Sequence, residues 1–276
     1  MINATGNRMT REIARQSALA DQIDRLQVQI SSGTRIQRAS DDVVGSRRVA
    51  TIDKAQASMA SWQKNVDAAA ALVSQADGAL KSTSNLMARA RELTLSAASG
   101  SMNADDRSTV AAELAAIADE IDALAATRDS NGEPIFATAD AKVMRFDSDV
   151  TFAPVPSAAD AFVVDGNSLS TMVRDAAGAV AAGDSTAMGA SLDTLATGIA
   201  HVADQNAALG LSGGRLDRIG DGLASRGITL ADERSTVEDT DLSVAIAQLN
   251  ATNLTLEAAQ AAFSRINRQT LFDILG

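Results

Sequence analysis

The chain contains no cysteine and no tyrosine, and it has one histidine and three prolines. Without cysteine there is no disulfide, no thiolate nucleophile and no thiolate metal site, and the redox compartment leaves no mark on the sequence. Aromatic residues make up only 3% and alanine is abundant, so the core must be built from small side chains, which suits closely spaced helices. Basic residues are outnumbered, 24 against 35 acidic, for a net charge of -11, which argues against nucleic acid as the partner because phosphate binding needs a basic face. No apolar run reaches the roughly 18 residues of a membrane span, so no membrane insertion is expected. The start, MINATGNRMTREIARQ, lacks the apolar middle of a secretory signal. The expectation is a cytoplasmic protein, or one that leaves the cell without a cleaved signal peptide.

What is present is helical rhythm. At 276 residues and 46% apolar content the chain can bury a core in one large domain or two modest ones. Apolar residues recur in steps of three and four at Met9, Ile13, Leu19, Ile23, Leu26 and Ile30. They recur again at Met59, Trp62, Val66, Ala69, Val73, Ala76, Leu80 and Met87. A shorter series holds Val110, Leu114, Ile117, Ile121 and Leu124. A fourth runs Leu192, Leu195, Ile199, Val202, Asn206, Leu209, Leu216 and Leu223, and a fifth runs Leu242, Ile246, Leu249, Asn253, Leu256, Gln260 and Phe263. Such regular seams resemble coiled coils, and the two amides of the last one are expected to fix register.

Punctuation separates the seams. Ser40, Asp41 and Asp42 offer N-cap oxygens to the second helix, Gly100 can close it, and Asn103 with Asp106 opens the third. Asn131-Gly132 is a turn pair, Pro134 breaks the helix, and alternation from there predicts a β-hairpin near 133–147. All three prolines fall between 134 and 156, and the helical pattern resumes at Thr171 with a break at Gly183. The fold class is therefore mainly α, an elongated antiparallel helical bundle or coiled coil with both chain ends together and a small hairpin-containing middle. Its expected parts are 1–40 with 237–276, 41–132 with 171–236, and 133–170.

Little of this points to catalysis. His201 lies beside seam positions and is expected on a solvated face, with a catalytic or metal role the weaker alternative. No glycine-rich phosphate loop follows a strand and no serine elbow is present. Glu238 to Asp241, EDTD, suits the N-terminal end of a helix and lacks the ligand spacing of a calcium loop. Gly210 to Gly214, GLSGG, has no strand before it, so close helix packing or a bend is expected. No catalytic residue, metal or cofactor is assigned, and an enzyme is not expected. Two features are left over. The basic elbow SSGTRIQRAS (Ser31 to Ser40) carries Arg35 and Arg38, and is either a solvated linker or an ordered elbow that docks on neighbouring subunits. The tail keeps Leu271, Phe272, Ile274 and Leu275 apolar where chain ends are usually polar, which implies a partner.

QISSGTRIQRASDD followed by RARELTLSAASG and DRSTVAAELAAIADEIDALAATRDSNGEPIFA resembles the N-terminal half of the bacterial flagellin superfamily. STVEDTDLSVAIAQLNATNLTLEAAQAAFSRINRQTLFDIL resembles its C-terminal end. TLFDIL and GEPIFA are most similar to the hook-filament junction branch of that superfamily. The resemblance implies a structural subunit outside the cell, exported through the flagellar type III apparatus and assembled in a ring with its own copies. Its implied partners are the first hook-associated protein, flagellin and an export chaperone; a filament flagellin of the same fold is the alternative, and a cytoplasmic coiled-coil scaffold a more distant one. The implied assembly residues are Leu19, Ile23, Leu26, Ile30, Arg35, Arg38, Ile246, Leu249, Leu256 and Phe263, with Leu271, Phe272, Ile274 and Leu275 of the tail. Ile135 and Phe136 would pack the hairpin onto the helices.

Overall fold

A computed structural model describes the backbone of residues 2–275 and the side chains of residue 7 and residues 9–265. The described chain is mainly helical: α1 (Ile2–Ser32), α2 (Val43–Ala98), α3 (Ala104–Ala125), α4 (Ala158–Phe162), α5 (Leu169–Ala182), α6 (Ser185–Glu238) and α7 (Leu242–Leu275). Four two-residue strands, β1 (Met144–Arg145), β2 (Thr151–Phe152), β3 (Val163–Val164) and β4 (Asn167–Ser168), form two antiparallel hairpins. The residues group into two units, Ser58–Arg226 and a terminal unit of Met1–Ala57 with Gly227–Gly276.

The unit Ser58–Arg226 holds most of the core. In α6 every seventh residue from Leu195 through Val202, Leu209 and Leu216 to Leu223 is buried, and α2 answers with Val66, Ala69, Ala76, Leu80 and Met87. The two helices run antiparallel here: Gly220 lies against Val66, Gly213 against Val73 and Gly198 against Met87. At Gly198 an added Cβ would stand 2.6 Å from Met87 Cε and 3.1 Å from Leu169 Cδ2, so a larger residue there would require Met87 and Leu169 to shift. GLSGG neither breaks nor ends the helix, and within it only an added Cβ at Gly213 would reach α2, in ordinary contact 3.6 Å from Val73 Cγ1. α3 packs on α5 through Leu114, Ile117 and Ile121, with Val173, Ala176 and Val180 in the same core.

Caps set the helix ends. Asn103 accepts the Asp106 N–H at 2.8 Å, and Gly183 closes α5 in the left-handed conformation. Helix α5 starts at Leu169, two residues before the expected point, because Ser168 accepts the Thr171 N–H. The expected hairpin over 133–147 is not formed. Asn131-Gly132 instead closes a tight loop in which the Ile135 N–H donates to the Thr127 carbonyl at 3.0 Å, and the paired strands begin only at Met144. The physical reason is Asp129, whose side chain accepts from the Asn131 and Glu133 N–H groups and bends the chain back before a longer ladder can start. Hairpin β1–β2 is fastened to the helices by Asn65 donating to the Arg145 carbonyl (2.7 Å), by Arg226 with Asp147 (2.6 Å), and by Phe146, buried in one cluster with Val66, Ala69, Leu216 and Leu223.

In the terminal unit α1 packs on α7. Among its described residues Ile23, Leu26, Ile52, Ala245 and Thr252 are buried. The seams differ from expectation in two places. Met9 and Ile13 are 42% and 56% exposed, because the line through Leu19, Ile23, Leu26 and Ile30 runs back to Gln16 and Glu12. Helix α7 turns Ala245, Leu249, Thr252, Leu256, Ala259 and Phe263 inward, leaving Leu242, Ile246 and Gln260 exposed. That line keeps Gln260 in water and leaves Asn253 only half-buried, which avoids the cost of burying two unpaired amides.

Candidate assembly surface

The elbow between α1 and α2 is ordered by its own backbone. Gly33, at φ +74°, ends α1 in the left-handed region, and its N–H donates to the Gln29 carbonyl at 2.9 Å. Gln37 donates to Ser32 and Thr34, while Asp41 accepts the N–H groups of Gln37 (3.1 Å) and Arg38 (2.8 Å). Asp41 thus folds the elbow, and Asp42 alone caps α2, its Oδ1 accepting the Gly45 N–H at 2.8 Å. Ser40, the third expected cap, makes no such bond. The Gly45 N–H first, and then the Arg35 guanidinium, hold the Asp42 carboxyl below its ordinary value of 3.8.

The elbow meets the α6–α7 turn through a one-residue antiparallel bridge, Thr34 opposite Asp239. The Arg35 N–H donates to the Glu238 carbonyl (2.6 Å), and the Thr240 N–H donates to the Gly33 carbonyl (2.9 Å). Arg35 Nη2 donates both to the Val237 carbonyl (2.8 Å) and to Asp42 Oδ2 (3.1 Å). Nearby, Arg234 bonds Glu238 and Asp53, and Arg48 pairs with Glu233. Arg38 lies apart, in an open cleft of about 580 Å³ with Asp21, Asp24, Arg25 and Val28.

The named apolar residues divide by position. Ile23 and Leu26 are buried against their own chain, Leu19, Ile30, Leu249, Leu256 and Phe263 are half-buried, and Ile246 is 46% exposed. The side chains of Leu271, Phe272, Ile274 and Leu275 lie outside the described residues. Sequence periodicity missed the outward apolar set. Among the described residues, ten of the thirteen exposed large apolar ones, including Met9, Ile13, Val28, Val244 and Leu254, belong to the terminal unit. That unit carries 12 basic and 13 acidic residues, against 12 and 22 in Ser58–Arg226. A near-neutral surface with this much exposed apolar area favours association.

Elsewhere the candidates resolve into structure. Ile135 and Phe136 are buried, and Phe136 meets Phe162 edge-on with centroids 4.9 Å apart. His201 is half-buried rather than solvated, its Nε2–H donating to the Asp160 carbonyl at 2.8 Å, which fastens α4 to α6. Within EDTD, Asp241 caps α7 by accepting the Val244 N–H, while Glu238 and Asp239 are held by Arg234 and Ser235 of α6. Among the described residues no cluster of three or more His, Cys, Asp or Glu could hold a metal, and no helix is long and apolar enough to cross a membrane.

Comparison with known proteins converges on one architecture. Residues 3–141 match the bacterial flagellin N-terminal helical region, and residues 192–275 match the bacterial flagellin C-terminal helical region. The flagellar filament 30.7 kDa core protein of Treponema maltophilum is 25% identical over 90% of both chains. Flagellin of Bacillus subtilis strain 168 is 26% identical over 87% of this chain and 88% of its own. In three dimensions the chain is similar to a protein described as a flagellar hook-associated protein from Vibrio parahaemolyticus (TM-score 0.66, 18% identity, 72% of this chain, all of the other). It is also similar to FlgL of Xanthomonas campestris (TM-score 0.58, 15% identity, 67% and 99% coverage). At these identities the structural likeness speaks to the fold.

Proposed function

The chain belongs to the bacterial flagellin family, a structural protein of the extracellular flagellum, and we propose that within it the subunit forms the junction ring between the hook-associated ring and the filament. The observation that carries an assembly role is the division of surface: exposed apolar residues and near-zero net charge gather on the terminal unit, and acidic charge on the other. The terminal unit is the part that packs against copies of the chain. The chain's parts are 1–40 with 237–276, 41–132 with 171–236, and 133–170. The exposed Ile246 and the apolar tail contact neighbours, and Arg38 docks from its cleft. Partners are copies of itself, the first hook-associated protein, flagellin and an export chaperone. The chain serves outside the cell and performs no catalysis.

The choice of the junction rests on the ending TLFDIL, the segment GEPIFA and the likeness in fold to hook-associated proteins. A filament flagellin is the second reading, favoured by sequence relatives that are flagellar filament proteins over nearly their whole length. Electron microscopy of a deletion strain separates the two. The junction role gives hooks without filaments and flagellin shed into the medium. Intact filaments, or immunolabel spread along the filament of the wild type, would sink it.

A further inference from the structure

Helices α2 and α6 each have an end at the elbow, and each end leaves backbone groups that the helix itself cannot satisfy. At the end of α6 the Ser235 carbonyl accepts the Asp239 N–H, but the Val237 and Glu238 carbonyls accept from Arg35, which lies 202 residues away from Val237 in sequence. A guanidinium there also suits the negative pole of the helix. At the start of α2 the Gly45 N–H is satisfied by Asp42 Oδ1, and Asp42 Oδ2 accepts from the same Arg35. One ion pair therefore caps the C-terminus of one 54-residue helix and the N-terminus of a 56-residue one.

We infer that the Arg35–Asp42 pair is a conformational coupler: it makes the crossing from α1 to α2 and the crossing from α6 to α7 order and disorder as one. The backbone bridge on either side of Thr34 gives the coupler its reach. Losing the guanidinium frees the Val237 carbonyl, leaving the Glu238 carbonyl to the Arg35 backbone N–H alone, and removes the charge that holds Asp42 over α2. The Thr240 N–H then loses the fixed Gly33 carbonyl, and the start of α7 is freed with it. The ion pair is half in solvent, with side-chain exposures of 48% and 28%, so its effect is positional and not a large store of stability. The coupling goes beyond the junction reading, because it holds wherever in the flagellum the subunit sits.

Hydrogen exchange on the full chain tests it. Arg35→Ala should speed exchange about tenfold or more at two separated places, residues 43–46 and residues 239–245, with α3 unchanged. Asp42→Asn is the sharper variant, because asparagine remains a good N-cap while the charge on Arg35's partner is gone. It should leave the Gly45 amide protected within about twofold and still speed Asp239 and Thr240, which Asp42 does not touch. Arg89→Ala, which removes the ion pairs to Glu92 and Glu113, should alter neither crossing. The coupling is wrong if Asp42→Asn leaves 239–240 at wild-type rates, if Arg35→Ala acts only within 33–42, or if Arg89→Ala loosens the elbow equally. Should Arg35→Ala fail to fold, Asp42→Asn alone decides.

Discussion

Phe136 shows how much one side chain can carry in a core this poor in aromatics. It is 1% exposed and stacked edge-on against Phe162, so Phe136→Ala should cost about 3–5 kcal/mol, read as a lowered denaturant midpoint. Two glycines of α6 should respond in opposite directions. Gly210 has no atom within 4 Å of an added Cβ, so Gly210→Ala should stabilise by roughly 0.5–1 kcal/mol through helix propensity alone. An added Cβ at Gly198 would stand 2.6–3.3 Å from side-chain atoms of Met87, Leu169 and Met172, and Gly198→Val should destabilise by about 1–3 kcal/mol. Thermal melts of both variants check the pair of signs. Acid is a third probe at this scale. Asp42 and Asp147 are both held below 3.8, Asp42 by the Gly45 N–H and Arg35, Asp147 by Arg226. Lowered folded values mean that these groups stabilise above their unfolded values, and that the contribution goes as pH falls through the folded ones. Asp147→Asn should therefore flatten the loss of stability below pH 3.8, and an unchanged acid limb would contradict the role given to Arg226.

Among the elements, legibility followed the length of the pattern. The α2 and α6 seams were readable because a long helix repeats its buried position many times, and every named member from Met59 to Met87 and from Leu192 to Leu223 lies at least half-buried. Two-residue strands repeat nothing, so the hairpins could be placed only roughly, and the short-range bonds of Asp129 decided where pairing began. In α7 two lines of residues compete, one rich in large apolar side chains and one in small ones. Periodicity alone favoured the first, and the cost of burying amides selected the second. The Arg35 contacts to Val237 and Glu238 had no local signal, since those partners come from the far end of the sequence. The apolar sequence of the tail sets its expected behaviour. Burying two large side chains at a contact is worth roughly 3–6 kcal/mol, enough to change an association constant by orders of magnitude. Leu271→Ala combined with Phe272→Ala should leave the monomer's melting curve nearly unchanged while abolishing ring assembly, chaperone binding or both, as assayed by secretion and motility. Normal swimming with wild-type amounts of the protein in flagella would show the tail to be dispensable.

For the whole molecule, the two units differ in how much they bury. Ser58–Arg226 contains nearly all the fully buried apolar residues, whereas the terminal unit has Ile23, Leu26, Ile52 and Ala245 among those described. Native-state exchange in the monomer should therefore be fastest in residues 9–30 and 245–265 and slowest in α3 and α5; equal protection throughout would mean that the terminal unit is independently stable. The same partition has a consequence for biosynthesis. Ser58–Arg226 is contiguous, so it can collapse while the ribosome is still at work, but the terminal unit joins the first 57 residues to Gly227 and beyond. At roughly 5–20 residues per second, α1 waits on the order of ten seconds or more for α7 to emerge. Throughout that interval Ile23 and Leu26 have no helix to cover them, so the nascent chain offers its own first helix as a binding site for whatever in the cell protects unfinished proteins.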